Sequence, residues 1–152
     1  MCRMNPKNIL KQLQIDEGVK YTIYKDHLGF LTFGVGHFIS ENDPEYGLEE
    51  GTPVSLERVN EALLKDLENA TWDCEMIFGT SRFRGFPDEV QEVVVNMMFN
   101  LGRTRFAKFV NFRAALEEHN WNKAAKEGRD SLWYHQVKNR AERLMSRLEN
   151  IS

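Results

Sequence analysis

Residues 16–37 read DEGVKYTIYKDHLGFLTFGVGH, and the fold turns on them. Two β-prone runs lie within, Tyr21-Thr22-Ile23-Tyr24 and Phe30-Leu31-Thr32-Phe33-Gly34-Val35-Gly36. Their β-branched and aromatic side chains favour a pleated backbone, and Lys25-Asp26-His27-Leu28-Gly29 between them reads as a hairpin connection. Alternation with period two predicts Leu31, Phe33 and Val35 on one face of the second run, and Thr32, Gly34 and Gly36 on the other. Glycine weakens a strand, so its presence twice on one face implies that a ligand or another segment approaches the backbone there. No other stretch of the chain carries a comparable β pattern.

Upstream, Asn5-Pro6 starts a helix, with Asn as the cap and Pro at the first helical position. Leu10, Leu13 and Glu17 follow at i, i+3 and i+7 until Gly18 ends it, which puts Glu17 on the last turn, on the stripe that faces the core. Downstream, the acidic stretch from Ser40 to Pro53, with Gly47 and Gly51, reads as surface loop or irregular hairpin. Ser55 then caps a helix of about six turns, whose Leu56, Val59, Leu63, Leu67 and Ala70 keep helical spacing into Ile77. Asp88 caps a strongly apolar helix through Val90, Val93, Val94, Met97, Met98 and Leu101, ended by Gly102, wide enough in its apolar face to centre a helical lobe. The segments 106–118, 121–127 and 139–149 read as further helices. The expected fold class is therefore α+β, mainly α: a small N-terminal antiparallel sheet and a C-terminal helical lobe joined by a long helix. The boundaries fall near 14–54 for the sheet lobe, 55–78 for the bridging helix and 79–152 for the helical lobe, with the first helix packing on the last of these, all in one domain.

The 152 residues are 41% hydrophobic and 28% charged, which excludes a disordered or fibrous chain. Cys2 and Cys74 are expected as free thiols. The N-terminus lacks the basic segment, apolar run and small-residue cleavage site of a secretory leader, and no apolar stretch is long enough to insert in a membrane. Residues 1–100 carry 9 Lys and Arg against 17 Asp and Glu, while residues 101–152 carry 11 against 6, within a net charge of −3. A basic C-terminal half can meet an anionic polymer while the acidic half does not. The basic residues are interleaved with acids and form no recognition motif, so no nucleic-acid partner is expected. Neither a metal nor another cofactor is expected.

The chemistry that suits these residues is paired-carboxylate catalysis. A glycosidase needs one carboxyl group to protonate the leaving oxygen and a second group that attacks the sugar or helps water to do so. Glu17, drawn toward the core at a helix end, fits the first role, and Asp26, in a turn, fits the second. On spacing alone, a surface acid and a turn aspartate are the more ordinary reading of the same two residues, and a plain strand residue is the more ordinary reading of Thr32.

Asp16-Glu17-Gly18, Tyr24-Lys25-Asp26, Gly29 and Thr32-Phe33-Gly34-Val35-Gly36-His37 together resemble, in order, spacing and residue type, the active-site signature of phage-type lysozymes, in particular those of T-even phages. The likeness continues through Asn96-Met97-Met98-Phe99-Asn100-Leu101-Gly102, Ser131-Leu132-Trp133-Tyr134 and Asn139-Arg140-Ala141, and is weakest from Ser40 to Pro53. The resemblance implies a two-lobed, monomeric lysozyme acting on bacterial peptidoglycan. Glu17 would be its general acid, Asp26 the carboxylate that places or activates water, and Thr32 the hydroxyl that positions that water, with inversion at the anomeric carbon. It further implies that Arg140 reaches toward the catalytic glutamate, that His37 pairs with Asp66 on the bridging helix, and that Phe38, Phe99 and Asn100 line the substrate cleft. Asn100 departs from the usual Gln by one methylene. Trp133 and Tyr134 are expected in the helical core. A lytic transglycosylase would cut the same bond without a water-placing pair, and a silent wall-binding module would need none of the three catalytic residues. In a phage the protein would accumulate in the host cytoplasm before reaching the wall; in a bacteria-feeding or defending cell it would work outside the cell or in lysosomes.

Overall fold

A computed structural model describes residues 6–151 and resolves the periodicities of the chain, among those residues, into nine helices and three strands. Helix α1 (Pro6–Glu17) begins at the expected proline. Its expected cap Asn5 lies outside the described residues, as does Cys2. Ile9 and Leu13, one helical turn apart, are fully buried and Leu10 only half so, which rotates the buried stripe by one residue from the expected one. Glu17 extends that stripe by a further turn and is half-buried. Gly18, at φ +76°, donates its N–H to the Gln14 carbonyl at 3.0 Å and turns the chain out of the helix.

Strands β1 (Lys20–Lys25), β2 (Leu31–Gly34) and β3 (His37–Phe38) form an antiparallel sheet in that order. Tyr24 stands opposite Thr32, and Thr32 in turn stands opposite Phe38. The long second run is thus not one strand to Gly36. The chain reverses through Gly34, Val35 and Gly36, and both glycines adopt positive φ, +63° and +67°, a backbone that side chains disfavour. Each glycine also admits a neighbour: a Cβ on Gly34 would lie 3.2 Å from Val59 Cγ1, and one on Gly36 would lie 3.5 Å from Glu17 Oε1. The approaching groups are two other segments of this chain, and Thr32 is left only 3% exposed.

The acidic loop descends in successive turns, with Asp43, Tyr46 and Leu48 donating N–H groups to the carbonyls of Ser40, Asp43 and Glu45. It then runs back along β1, where Ile23 donates to Thr52, Gly51 to Ile23 and Val54 to Tyr21. Ser55 caps α2 (Leu56–Phe78) by accepting the Arg58 N–H at 3.1 Å. Val59, Ala62, Leu63, Leu67 and Ala70 are buried, whereas Leu56 at its start is exposed.

The contacts divide the chain between Asn69 and Ala70, within α2. The unit from Lys7 to Asn69 holds α1 and the sheet, and in it Ile9, Leu13, Ile23, Phe33 and Val35 are buried. Burying each such side chain contributes about 1.5–3 kcal/mol.

The unit from Ala70 onward contains α3 (Thr80–Arg84), α4 (Asp88–Leu101), α5 (Arg103–Ala107), α6 (Val110–Glu117), α7 (Trp121–Arg129), α8 (Leu132–Val137) and α9 (Asn139–Glu149). Residues 90–98 of α4 are buried without interruption, so this helix is its centre. The cap of α4 is Pro87, with Asp88 one position inside. Phe78, Phe83, Phe86, Phe106 and Phe112 make a chain of mostly edge-to-face aromatic contacts, and Trp133 is buried nearby against Phe109. No helix of the described residues is long and apolar enough to cross a membrane.

Candidate active site

The hairpin that joins β1 to β2 is closed by a functional candidate. Asp26 accepts the N–H groups of Leu28 and Phe30 on one oxygen, Oδ1, both at 2.9 Å, while its own N–H reaches the Phe30 carbonyl at 2.9 Å. An aspartate that bonds the backbone two and four residues on holds a turn and fixes its own carboxylate rotamer. Gly29, at φ +86°, supplies the left-handed residue the turn needs. The Thr32 hydroxyl donates to the same Phe30 carbonyl at 3.0 Å. Asp26 and Thr32 are therefore tied to one peptide, and neither is oriented by chance.

Glu17 reaches this unit from the end of α1, with the Gly36 backbone against its carboxyl group. Tyr24, opposite Thr32 on β1, completes the arrangement. Burial raises its phenol pKa, and the charges of Glu17 and Asp26 raise it further, so the hydroxyl keeps its proton beside two carboxylates. The Lys20 ammonium lies 4.2 Å from the centre of the Tyr24 ring, a cation–π contact. The sequence motif contained Tyr24 without giving it a role. Its position opposite Thr32 follows from hairpin register, which the sequence leaves open until the turn is known.

Behind the sheet, His37 is held from both sides. Its Nδ1 lies 2.6 Å from Asp66 Oδ2 on α2 and its Nε2 lies 2.9 Å from Asp43 Oδ2 in the acidic loop. Burial by itself lowers the His37 pKa, but the hydrogen bonds and charges of Asp66 and then Asp43 outweigh it and hold the imidazole above its ordinary value. For Asp43, burial acts upward and is outweighed by the Ser40 N–H and by His37, which together leave the carboxyl below its usual range. Arg58 on α2 grips the same loop, with Nε and Nη2 on the two oxygens of Glu45 at 2.7 and 3.0 Å and Nη2 on Asp43 at 3.2 Å. The Arg58 hydrogen bond lowers the Glu45 pKa. The pairing of His37 and Asp66 is present in the structure; Asp43, Glu45 and Arg58 carried no sequence signal, because a loop acid and a helix arginine fifteen residues apart are ordinary surface residues until the loop folds back.

Phe38 is exposed and touches Phe30 edge-to-face, with ring centres 5.4 Å apart. The remaining candidates belong to the other unit. Phe99 and Asn100 are half-buried near the end of α4, and the Asn100 Oδ1 accepts the Trp133 indole N–H at 2.8 Å. One face of the Asn100 amide is thereby committed to the core. Arg140 is buried and donates from Nε to Asn96 Oδ1 at 2.9 Å. Among the described residues no group of His, Cys, Asp or Glu is arranged to hold a metal ion.

Comparison with known proteins places this mainly helical fold with one small antiparallel sheet among the lysozymes, a class of glycoside hydrolase. Residues 14–150 match the family described as phage lysozyme, and the chain belongs to that family. It is 31% identical to the probable T4-type lysozyme 1 of Dictyostelium discoideum, over 93% of this chain and 94% of that protein. Probable T4-type lysozyme 2 of the same organism is 27% identical over 90% of this chain and 91% of its own length. The pre-baseplate central spike protein Gp5 of Enterobacteria phage T4 is 30% identical over 92% of this chain, which matches 27% of that longer protein.

Proposed function

We propose that this chain is an endo-acting N-acetylmuramidase that hydrolyses the β-1,4 bond between N-acetylmuramic acid and N-acetylglucosamine in bacterial peptidoglycan, with inversion, and so lyses bacteria. The observation that carries the reading is the shared anchoring of Asp26 and Thr32 on Phe30. The Thr32 hydroxyl has one proton, already given to the Phe30 carbonyl, so toward a water it acts only as an acceptor. Asp26 has spent Oδ1 on two backbone N–H groups and offers Oδ2. A water that donates one proton to Thr32 Oγ1 and the other to Asp26 Oδ2 has its lone pair free for the anomeric carbon. As the water attacks, its proton passes to Asp26 and Glu17 protonates the departing glycosidic oxygen. That sequence of general base and general acid inverts the carbon in one displacement.

The test is Glu17→Gln, which keeps the shape of the side chain and removes the transferable proton. Wall cleavage should fall by at least about 100-fold with the fold retained. Proton NMR of the first products from the unmodified enzyme should show the α-anomer, and mass analysis should find hydrolysed ends. Anhydro ends would mean transglycosylation, and a fully active Glu17→Gln protein would remove the proposed acid.

A further inference from the structure

Phe30 stands out among the aromatic residues of the sheet unit. It is 50% exposed, and its partner Phe38 is 53% exposed, yet the two rings meet at 5.4 Å with planes 81° apart. Single exposed apolar residues need no explanation, but two aromatic rings that pack on each other and leave half their area in water are a different matter. The edge-to-face contact fixes both rings relative to the sheet, so together they make a rigid corner of two nearly perpendicular walls.

The position of this corner ties it to the reaction. Phe38 is directly opposite Thr32 in the sheet, so both side chains project from the same face. Phe30 carries on its backbone the N–H that Asp26 accepts and the carbonyl that Thr32 bonds. A sugar ring held against these two rings is thus registered to the water-placing pair through the backbone of a single residue, Phe30. Pyranose rings have an apolar face of axial C–H groups and, when N-acetylated, a methyl group; a flat aromatic wall and a second wall at right angles match those two features.

Resting on the muramidase reading, we infer that Phe30 is a substrate-binding and specificity-determining residue. With Phe38 it forms an aromatic corner that holds an N-acetylated pyranose beside Asp26 and Thr32. Its side chain takes no part in the Asp26 and Thr32 hydrogen bonds, which use only its backbone.

The test measures binding apart from catalysis. In the Glu17→Gln protein, titration with tri-N-acetylchitotriose followed by NMR should shift the Phe30 and Phe38 ring resonances. Phe30→Ala in that background should weaken binding about tenfold. Phe30→Leu, which keeps apolar area without a ring, should weaken it nearly as much, and Phe30→Tyr should restore it. Leu64→Ala, which removes an equally exposed side chain from α2, serves as the control and should bind as the parent does. In the active enzyme Phe30→Ala should raise KM, and its thermal unfolding should stay within about 2 °C of the parent, since the lost ring is half in water. Parental affinity in a folded Phe30→Ala protein would overturn the inference, as would full retention by Phe30→Leu. So would a concentration-dependent dimer that disappears in Phe30→Ala while sugar binding does not change. The muramidase reading fails separately, through an active Glu17→Gln enzyme, so the two cannot be confused.

Discussion

Two carboxylates on one imidazole make His37 a charge clasp with definable limits in pH. Its folded pKa is raised, so its contribution is complete below the unfolded value near about 6.5 and is lost as pH rises through the folded value. The Asp43 pKa is lowered, so its share is present above the unfolded value near about 3.9 and disappears as pH falls through the folded one. Between these limits His37→Gln should destabilise the protein by about 1.5–3 kcal/mol, the range for charged hydrogen bonds, with the difference shrinking on either side. Urea unfolding of both proteins at a series of pH values measures it, and a difference that stays flat from mildly acidic to alkaline pH would rule the clasp out. At this scale the sequence was legible where chemistry repeats in a fixed local order. Glu17, Asp26, Thr32 and His37 could be picked out because the motif spans a hairpin. Asp43 and Arg58 could not, because their partnership depends on how a loop without any pattern of its own returns to a helix.

Helices were read best where their ends are marked by residues with a mechanism. α2 starts after its cap Ser55, and α9 covers 139–149 as its spacing predicts, with no side-chain cap. α3, α5 and α8 were missed as separate elements, since five or six residues are too few to show a period. The second β run misled for another reason: Phe33 and Val35 alternate correctly across a reversal, so periodicity alone is blind to the turn through Gly34 and Gly36. How closely one helix approaches another was not legible, and Gly128 on α7 shows why. A Cβ there would lie 2.2 Å from the sulfur of Met145 on α9, a fully buried side chain. In isolation, Gly to Ala in a helix interior gains about 1 kcal/mol from propensity. Here the methyl group must displace Met145 within a filled core, and overpacking of that kind costs about 1–3 kcal/mol. Gly128→Ala should therefore lower stability on balance, read as a reduced denaturation midpoint with an unchanged m-value. Met145→Ala added to it should recover part of the deficit in its cycle with the single variants; additive losses would show that the two side chains do not compete for space.

Charge is distributed between the two units in a way that bears on how the whole molecule meets a wall. The unit from Lys7 to Asn69 carries 6 Lys and Arg against 12 Asp and Glu, and it holds Glu17, Asp26 and Thr32. An anionic polymer is repelled by that half. Raising the ionic strength from about 0.01 to 0.1 M shortens the screening length from about 30 to 10 Å, so lysis of a bacterial suspension should quicken over that interval. A steady fall in rate would mean that the basic residues beyond Asn100 govern the encounter instead. The return of residues 51–54 along β1 has a consequence for behaviour in crowded solution. A strand with a bare flank is a template on which another chain can add, the route to amyloid-like stacking. Here one flank of β1 pairs with β2, and on the other lies a stretch containing Pro53, which has no N–H to extend a ladder. On the far side the sheet ends in a strand of two residues, too short to recruit another. Among the described residues the small β-sheet thus offers no docking rail for copies of this chain, a guard against clumping at its edges.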